Sequence, residues 1–191
     1  MATAARSSER MTIEQFLEWD SADELRYELV DGVPVAMNPP MAPHARLVAL
    51  LTGAIERRLR PPCGTYVGGG ARRQDDDGNY RVPDLSISCS RSPGHWIEAP
   101  QVVVEILSPS TQKKDLSVKL AFYRSMPSVE EILLVRTDRR HVEHWQREGE
   151  DWRVRDLIGS AEIALRPLSE PIPLQEIYAP LELDAEPDSL T

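Results

Sequence analysis

Two acidic residues in the middle of the chain have the spacing and surroundings expected of a metal site. Asp84 follows Pro83 near the start of a predicted strand, and Glu105 is the single charge in the apolar run 102–107. Two carboxylates buried side by side raise each other's pKa or require a cation. Mg²⁺ takes carboxylate and carbonyl oxygens as ligands and keeps several waters. The pair therefore predicts an open Mg²⁺ site, with Glu28 on an earlier strand as a candidate third acid.

A lysine on the next predicted helix could serve the same site. Only three of the 22 basic residues are lysines, and they are Lys113, Lys114 and Lys119. Lysine offers a compact ammonium group that can shift its pKa or meet an anionic oxygen as a point charge. Lys119 is four residues from both Asp115 and Tyr123, so the three share one helical face. Two interpretations stay open, because Lys119 either points back at the acidic pair or forms a surface ion pair with Asp115.

The predicted elements explain how these residues can meet. Capping, turn and periodicity patterns predict helices over 12–19, 44–60 and 174–178, and one containing Leu116 that ends near Ser125. They predict strands over 26–30, 33–37, 66–73, 80–88, 102–107, 132–136, 141–146 and 152–157. The apolar run 102–107 is typical of a central strand covered on both faces, and Pro34 is typical of an edge strand. The mixture indicates an α/β or α+β sheet domain.

Composition limits the classes of protein. We predict one domain over 12–178, with a disordered N-terminal tail over 1–11 and an acidic C-terminal tail over 179–191. The net charge of −9 opposes non-specific attraction to nucleic acid over the whole surface. No apolar run approaches the roughly 20 residues of a membrane span, so we expect a soluble protein. The spacing of Cys63 and Cys89 fits neither a metal pair nor a disulfide framework, which favours a reducing cytoplasm.

Other polar residues leave alternatives open. Five arginines are candidates for binding an anionic substrate: Arg57, Arg58, Arg60, Arg72 and Arg73. That they are ordinary solvent-exposed surface residues is an equal alternative. Glu105 itself has a second interpretation as a buried acid paired with an arginine. His44 lies at the start of a predicted helix, where either helix capping or substrate contact is open and the structural role is slightly favoured.

An ordered series of motifs resembles the Uma2 (DUF820) family. The series contains YELVDG at 27–32, Pro39-Pro40 with His44, VPDL at 82–85, VEILSPST at 104–111, and Asp115 followed by Lys119 and Tyr123. The resemblance covers roughly residues 12–178. Uma2 belongs to the restriction-endonuclease-like PD-(D/E)xK superfamily, so the resemblance implies a mixed central sheet flanked by helices.

The resemblance also implies roles for the site residues. Asp84 and Glu105 would be Mg²⁺ ligands, aided by the backbone carbonyl of Ile106, and Glu28 would complete the acidic cluster. Mn²⁺ is an expected substitute for Mg²⁺. The sequence departs from the superfamily pattern at Leu107, where a lysine is expected. Lys119 resembles the relocated lysine of such enzymes and is the predicted replacement.

Two functions from different classes follow. The leading prediction is a Mg²⁺-dependent endonuclease that hydrolyses DNA phosphodiester bonds, with Glu28, Asp84, Glu105 and Lys119 as catalytic residues and a homodimer as its assembly. The alternative is an inactive nuclease-fold protein that serves as an interaction or regulatory module. Leu107 and the charge of −9 favour the alternative, and the intact acids with Lys119 favour the enzyme.

Overall fold

Four helices and twelve strands make up the part of the chain described by the computed structural model, which covers residues 10–109, 113–181 and 183, with the side chains of 113–115 left out. The helices are α1 (Ile13–Glu18), α2 (Ala42–Glu56), α3 (Lys113–Ser125) and α4 (Leu174–Tyr178). The strands are β1 (Tyr27–Val30), β2 (Val33–Ala36), β3 (Gly64–Val67), β4 (Ala71–Arg72), β5 (Tyr80–Arg81), β6 (Leu85–Ser88), β7 (Val102–Leu107), β8 (Glu131–Arg136), β9 (His141–Glu148), β10 (Asp151–Ile158), β11 (Glu162–Ile163) and β12 (Ile172–Pro173).

A six-stranded sheet forms the centre of the fold. Its strand order is β10-β9-β8-β7-β6-β3. The β7 and β8 strands are parallel and the other neighbours are antiparallel, so the sheet is mixed. All six residues of β7 are buried. The protein is therefore an α+β domain with a mixed central sheet, and β7 is the interior strand that its apolar sequence predicts.

Helices cover both faces of this sheet. One apolar cluster joins α2 and α4 to alternate residues of β7, among them Val102 and Val104. A second cluster joins α3 to Val103 and Leu107 on the opposite face. Successive side chains of a strand point to opposite faces, so Glu105 points toward α3. The alternation of side chains along β7 therefore places Glu105, its single charged residue, on the face that α3 covers.

A smaller antiparallel sheet lies beside the central one. Its order is β2-β1-β5-β4, and its first hairpin turns through Asp31 and Gly32, which have φ values of 49° and 77°. Pro34 lies on the edge strand β2, as predicted. The Thr12 and Gln15 capping box forms at the start of α1. Local turn and cap chemistry therefore predicted this part of the fold correctly.

The predicted strand over 66–73 is wrong as a single element. The chain divides there into β3, which pairs with β6, and β4, which pairs with β5 in the other sheet. Gly68 has a φ of +59°, which turns the chain between the sheets. A Cβ atom at Gly70 would overlap the Tyr80 ring, so this glycine makes room for Tyr80 of β5 beside the start of β4. The α2 helix also begins earlier and ends earlier than the predicted 44–60.

The two cysteines form a disulfide, contrary to the expectation from their spacing. Gly64 of β3 pairs with Ser88 of β6, so Cys63 and Cys89 lie opposite each other at the end of the strand pair. A sequence separation of 26 residues conceals this neighbourhood, because strand pairing brings the two cysteines together. The inference of a reducing compartment from unpaired cysteines therefore loses its basis.

The packed part of the chain extends past the predicted limits of 12–178. The backbone N–H of Met11 donates a 2.7 Å hydrogen bond to the carbonyl oxygen of Gly32, and Leu181 and Leu183 pack against the main apolar cluster. The remainder of both predicted tails lies outside the described residues. Among the residues that are described, no helix is both long enough and apolar enough to cross a membrane.

Candidate active site

Asp84 and Glu105 lie side by side because of the strand register. Leu85 of β6 pairs with Val104 of β7 in antiparallel fashion, so the next residues toward the sheet end, Asp84 and Glu105, face each other. The backbone N–H of Ile106 donates a 2.7 Å hydrogen bond to Oδ2 of Asp84. The structure therefore brings together the two acids that the sequence singled out.

The two carboxylates line one open cavity of about 210 Å³. Val35 of β2 and Met37, the residue after this strand, form an apolar wall, and Leu107 lies at the end of β7 in the same lining. The side chain of Asp84 is 18% exposed, whereas that of Glu105 is 8% exposed. Asp84 is thus the more accessible acid from the cavity, and Glu105 forms its deeper part.

Lys119 points back at the acidic residues from α3. Its Nζ lies 3.1 Å from Oε1 of Glu28 and 3.3 Å from Oε1 of Glu105. The alternative partner Asp115 has its side chain outside the described part of the chain. The ammonium group therefore bridges two carboxylates at the site, and of the two interpretations of Lys119 the inward one agrees with the geometry.

The shared burial of these groups shifts their pKa values. Burial raises the pKa of Glu105 to about 7, with Lys119 and Tyr123 opposing the rise and Asp84 adding to it. Burial by itself would lower the pKa of Lys119, but Glu105 and Glu28 raise it above its ordinary value. Lys119 consequently keeps its proton and its positive charge lies between the carboxylates of Glu28 and Glu105.

Glu28 is held by three donors. Its Oε1 accepts a 2.9 Å hydrogen bond from the backbone N–H of Val82, and its Oε2 lies 3.3 Å from Nη1 of Arg81. Lys119 is the third donor. With both oxygens engaged, Glu28 acts in this geometry as an anchor for Lys119 rather than as an open ligand.

His44 belongs to the site rather than to a helix cap. Its Nε2 lies 3.1 Å from Oδ2 of Asp84, and this hydrogen bond raises the pKa of His44, although burial opposes the rise. The N-cap of α2 is Met41, and no side chain caps this helix. The slightly favoured capping role is therefore wrong, because the first turn of α2 directs the imidazole at the acid.

Sequence reasoning missed two partners of the acids. The Tyr123 hydroxyl donates a 2.6 Å hydrogen bond to Oε1 of Glu105 and is completely buried. Its spacing of four residues from Lys119 was the signal that could have assigned it. Arg81 gives no comparable signal, since its contact with Glu28 joins two separate strands. The partners of Glu105 are a lysine and a tyrosine, so its interpretation as an arginine-paired acid is wrong.

The arginines suggested for substrate binding have other partners. Arg57 and Arg58 bind Glu176 at the C-terminal end of α2. At 1.5 Å per helical residue this is about 20 Å from His44. The remaining three arginines each have a different partner. Arg60 donates a hydrogen bond to the Ser169 carbonyl, and Arg72 lies over the Trp96 ring. Arg73 forms an ion pair with Asp75. The set does not form a surface around the cavity.

The donor set of the cavity is compatible with Mg²⁺. Among the described residues no group of three His, Cys, Asp or Glu side chains is arranged as a ready metal cage. Mg²⁺ is commonly held by one or two carboxylates together with waters, so Asp84 and Glu105 suffice. The N–H and C=O of one strand residue point the same way, so the Ile106 carbonyl lies on the edge that faces Asp84.

Comparison with protein families gives one match over most of the chain. The model of the Uma2 family, described as "Putative restriction endonuclease", matches residues 13–179. A solved structure described as "a putative nuclease belonging to DUF820", from Anabaena variabilis, superposes with a TM-score of 0.71 at 16% identity, covering 88% of this chain and 98% of that one. This structural similarity shows that the two proteins share a fold.

Two curated relatives come from Synechocystis sp. (strain PCC 6803). The uncharacterized protein slr1290 is 24% identical over 181 residues, which cover 88% of this chain and 92% of the relative. The uncharacterized protein sll1609 is 38% identical over 66 residues, which cover 34% of this chain and 37% of that relative. The first alignment spans nearly the whole of both chains.

Proposed function

Because the chain belongs to the Uma2 family, we propose that it is a Mg²⁺-dependent endonuclease that hydrolyses phosphodiester bonds of DNA. The observation that carries this proposal is the convergence of Asp84, Glu105 and Lys119 at one open cavity. Asp84 adds to the raised pKa of Glu105, and acids that perturb each other in this way are concentrated at functional sites.

Asp84, Glu105 and the Ile106 carbonyl are the groups that would hold Mg²⁺ in this proposal. The bound ion would supply Lewis-acid chemistry by neutralising charge on the phosphate and lowering the pKa of the attacking water. Tyr123 fixes Oε1 of Glu105 through its hydroxyl, and the Ile106 N–H fixes Oδ2 of Asp84. Both carboxylates are thereby oriented before substrate binds.

Lys119 supplies the fixed positive charge of the reaction. A water oxygen attacks phosphorus and gives up a proton, the bond to the leaving oxygen breaks, and that oxygen takes up a proton. One new end then carries a phosphate and the other a hydroxyl group. Negative charge increases on the phosphate oxygens and on the leaving oxygen during this step, and a prepositioned ammonium group stabilises it. Glu28 keeps Lys119 in place, so the helix α3 replaces the lysine that position 107 lacks.

The proposal is tested by incubating the purified protein with supercoiled, linear duplex and single-stranded DNA in the presence of Mg²⁺ or Mn²⁺, or of EDTA. We expect cleavage with either metal, none with EDTA, and a loss of about 100-fold or more in Asp84→Asn. Asp75→Asn is the matched control, since Asp75 is an exposed acid paired with Arg73 outside the cavity.

Cleavage that persists undiminished in Asp84→Asn would show a contaminating nuclease or another site. Absence of cleavage with every substrate and metal would favour the inactive nuclease-fold module. Calorimetric titration with Mn²⁺ separates metal binding from turnover, and it should show a site that both Asp84→Asn and Glu105→Gln weaken.

A further inference from the structure

Three arginines that form no ion pair within the described part of the chain lie at the end of β8 and in the turn to β9. Residues 136–140 read Arg-Thr-Asp-Arg-Arg, so three arginines surround one acid, Asp138. The arginine ion pairs of the described residues lie elsewhere in the fold and involve none of these three. The Nε atoms of Arg136 and Arg140 are buried without a partner within the described structure, while Arg139 is exposed.

This turn is held rigidly at both ends. The backbone N–H and the hydroxyl of Thr137 both donate to the carbonyl oxygen of Leu107, at 2.9 and 3.1 Å. The Tyr178 hydroxyl lies 2.9 Å from the carbonyl oxygen of Arg136 and 3.0 Å from that of His141. The arginines are therefore presented by a fixed backbone, and ordering a ligand there costs little backbone entropy.

The turn lies next to the cavity. In the parallel pairing of β7 and β8, Glu105 is opposite Leu134 and Leu107 is opposite Arg136. Leu107 lines the cavity, and Arg136 shares the α3 face of the sheet with Glu105. Strand geometry then separates the Cα atoms of Glu105 and Arg136 by about 8 Å. A backbone bound at the acids would reach Arg136, the first arginine of this segment, within about one to three phosphates, at about 3.4 Å of rise per nucleotide, and Arg139 and Arg140 follow within the next four residues.

We infer that residues 136–140, the arginine turn, form a phosphate-binding subsite that holds the nucleic-acid backbone beside the cavity. This inference rests on the proposed function. Arginine keeps its charge at all working pH values and presents a planar set of donors that matches phosphate oxygens. Because the whole protein carries a net charge of −9, attraction to a polyanion must be local. The arginine turn supplies that local charge at the correct end of the sheet.

The test measures binding separately from cleavage. Fluorescence anisotropy with labelled duplex and single-stranded DNA is carried out in EDTA, for the parent and for the double variant Arg139→Gln/Arg140→Gln. We expect Kd to rise about 10-fold for every sequence alike, and the slope of log K against log salt to fall by about 2, because two phosphate contacts are lost. Arg136 is left intact because it belongs to strand β8, whereas Arg139 and Arg140 lie in the connecting turn.

The matched control is Arg57→Gln/Arg60→Gln. It removes the same charge near the C-terminal end of α2, at the far end of this helix from the cavity residue His44, and should leave Kd within about twofold. An equal loss in both double variants would mean that only overall charge matters and would overturn the subsite. An unchanged Kd in Arg139→Gln/Arg140→Gln, with a parent that binds and cleaves DNA, would also overturn the subsite. The proposed nuclease function would stand in that case. A parent that binds no DNA and cleaves none overturns both.

Discussion

At the scale of single residues, the acids Asp84 and Glu105 have different surroundings. Asp84 is partly exposed and hydrogen-bonded to His44 and to a backbone N–H, whereas Glu105 is buried beside Lys119 and Tyr123. Hydrogen bonds stabilise the carboxylate form, and burial disfavours it. In the proposed metal site, Asp84 would hold the cation from the solvent side, and Glu105 would complete the site once a cation offsets its charge.

Removing the ammonium group of Lys119 should abolish most of the proposed activity. We expect Lys119→Ala and Lys119→Arg to lose about 10²–10³ in cleavage rate, because a prepositioned charge is lost or is replaced by a bulkier planar group. Lys119→Ala should also lower the free energy of unfolding by about 3 kcal/mol, since two buried carboxylates lose their partner. Cleavage assays below the unfolding temperature, with urea unfolding in parallel, separate the two effects. Full activity in Lys119→Ala would transfer the role to Lys113, Lys114 or an arginine.

Glu105 should make the stability of the metal-free protein fall as pH rises. Its pKa is about 7 in the folded protein against 4.5 in the unfolded chain, so the folded state binds the proton more tightly. The contribution of Glu105 to the free energy of unfolding is fully present below about pH 4.5. It decreases by about 1–3 kcal/mol as the pH rises through about 7. Urea unfolding in EDTA at about pH 5 and about pH 8 should show a smaller decrease in Glu105→Gln than in the parent. Glu150→Gln, at an exposed turn, should retain the parent's decrease, and an identical decrease in all three proteins contradicts the assignment.

At the scale of elements, local patterns predicted most helices and strands but not where two elements come together. The α1 cap, the 27–36 hairpin and β7 follow from side-chain periodicity and turn chemistry, which act within a few residues. The division of 66–73 between two sheets and the contact between His44 and Asp84 depend on tertiary packing. A single sequence carries little information on contacts between residues that are distant along the chain. The acids of the site were therefore predictable, and most of their partners were not.

The junction between the two sheets gives a prediction at this scale. Gly70→Ala should destabilise the protein by about 3 kcal/mol, because the added methyl group would overlap the Tyr80 ring. Gly94→Ala is the matched control, since no atom lies within 4 Å of its added Cβ, and it should change stability by less than about 0.5 kcal/mol. Thermal and urea unfolding measure both variants. Equal stability of Gly70→Ala and the parent would show that the Tyr80 ring can move away.

At the scale of the whole molecule, charge and assembly constrain how the protein meets its substrate. A chain of net charge −9 gains little from long-range attraction to DNA, so a nuclease of this composition depends on local contacts or on a second copy of its site. The family resemblance predicts a homodimer, and two-fold symmetry would allow two such sites to act on two strands. The fold has one edge suited to this contact.

That edge is β10, the outer strand of the central sheet. It is a regular eight-residue strand whose Val154 and Ile158 are 43% and 63% exposed. An exposed edge strand offers its free backbone groups for pairing with a strand of a second copy. Antiparallel pairing of two β10 strands about a two-fold axis at Val154 places the exposed Val154 side chains of the two subunits opposite each other on one face of the sheet, where they are in contact. Light scattering should therefore return about twice the monomer mass of 21.5 kDa.

A charge placed on this edge should dissociate the dimer. Val154→Lys puts two like charges near the symmetry axis, so we expect a monomer at concentrations where the parent is dimeric, with an unchanged circular dichroism spectrum. Val67→Lys is the matched control, because Val67 is 58% exposed on β3 at the opposite edge of the same sheet. A parent of 21.5 kDa at all working concentrations would refute the dimer. Dissociation by Val67→Lys alone would instead move the interface to β3, because only the strand at the contact responds to a new charge.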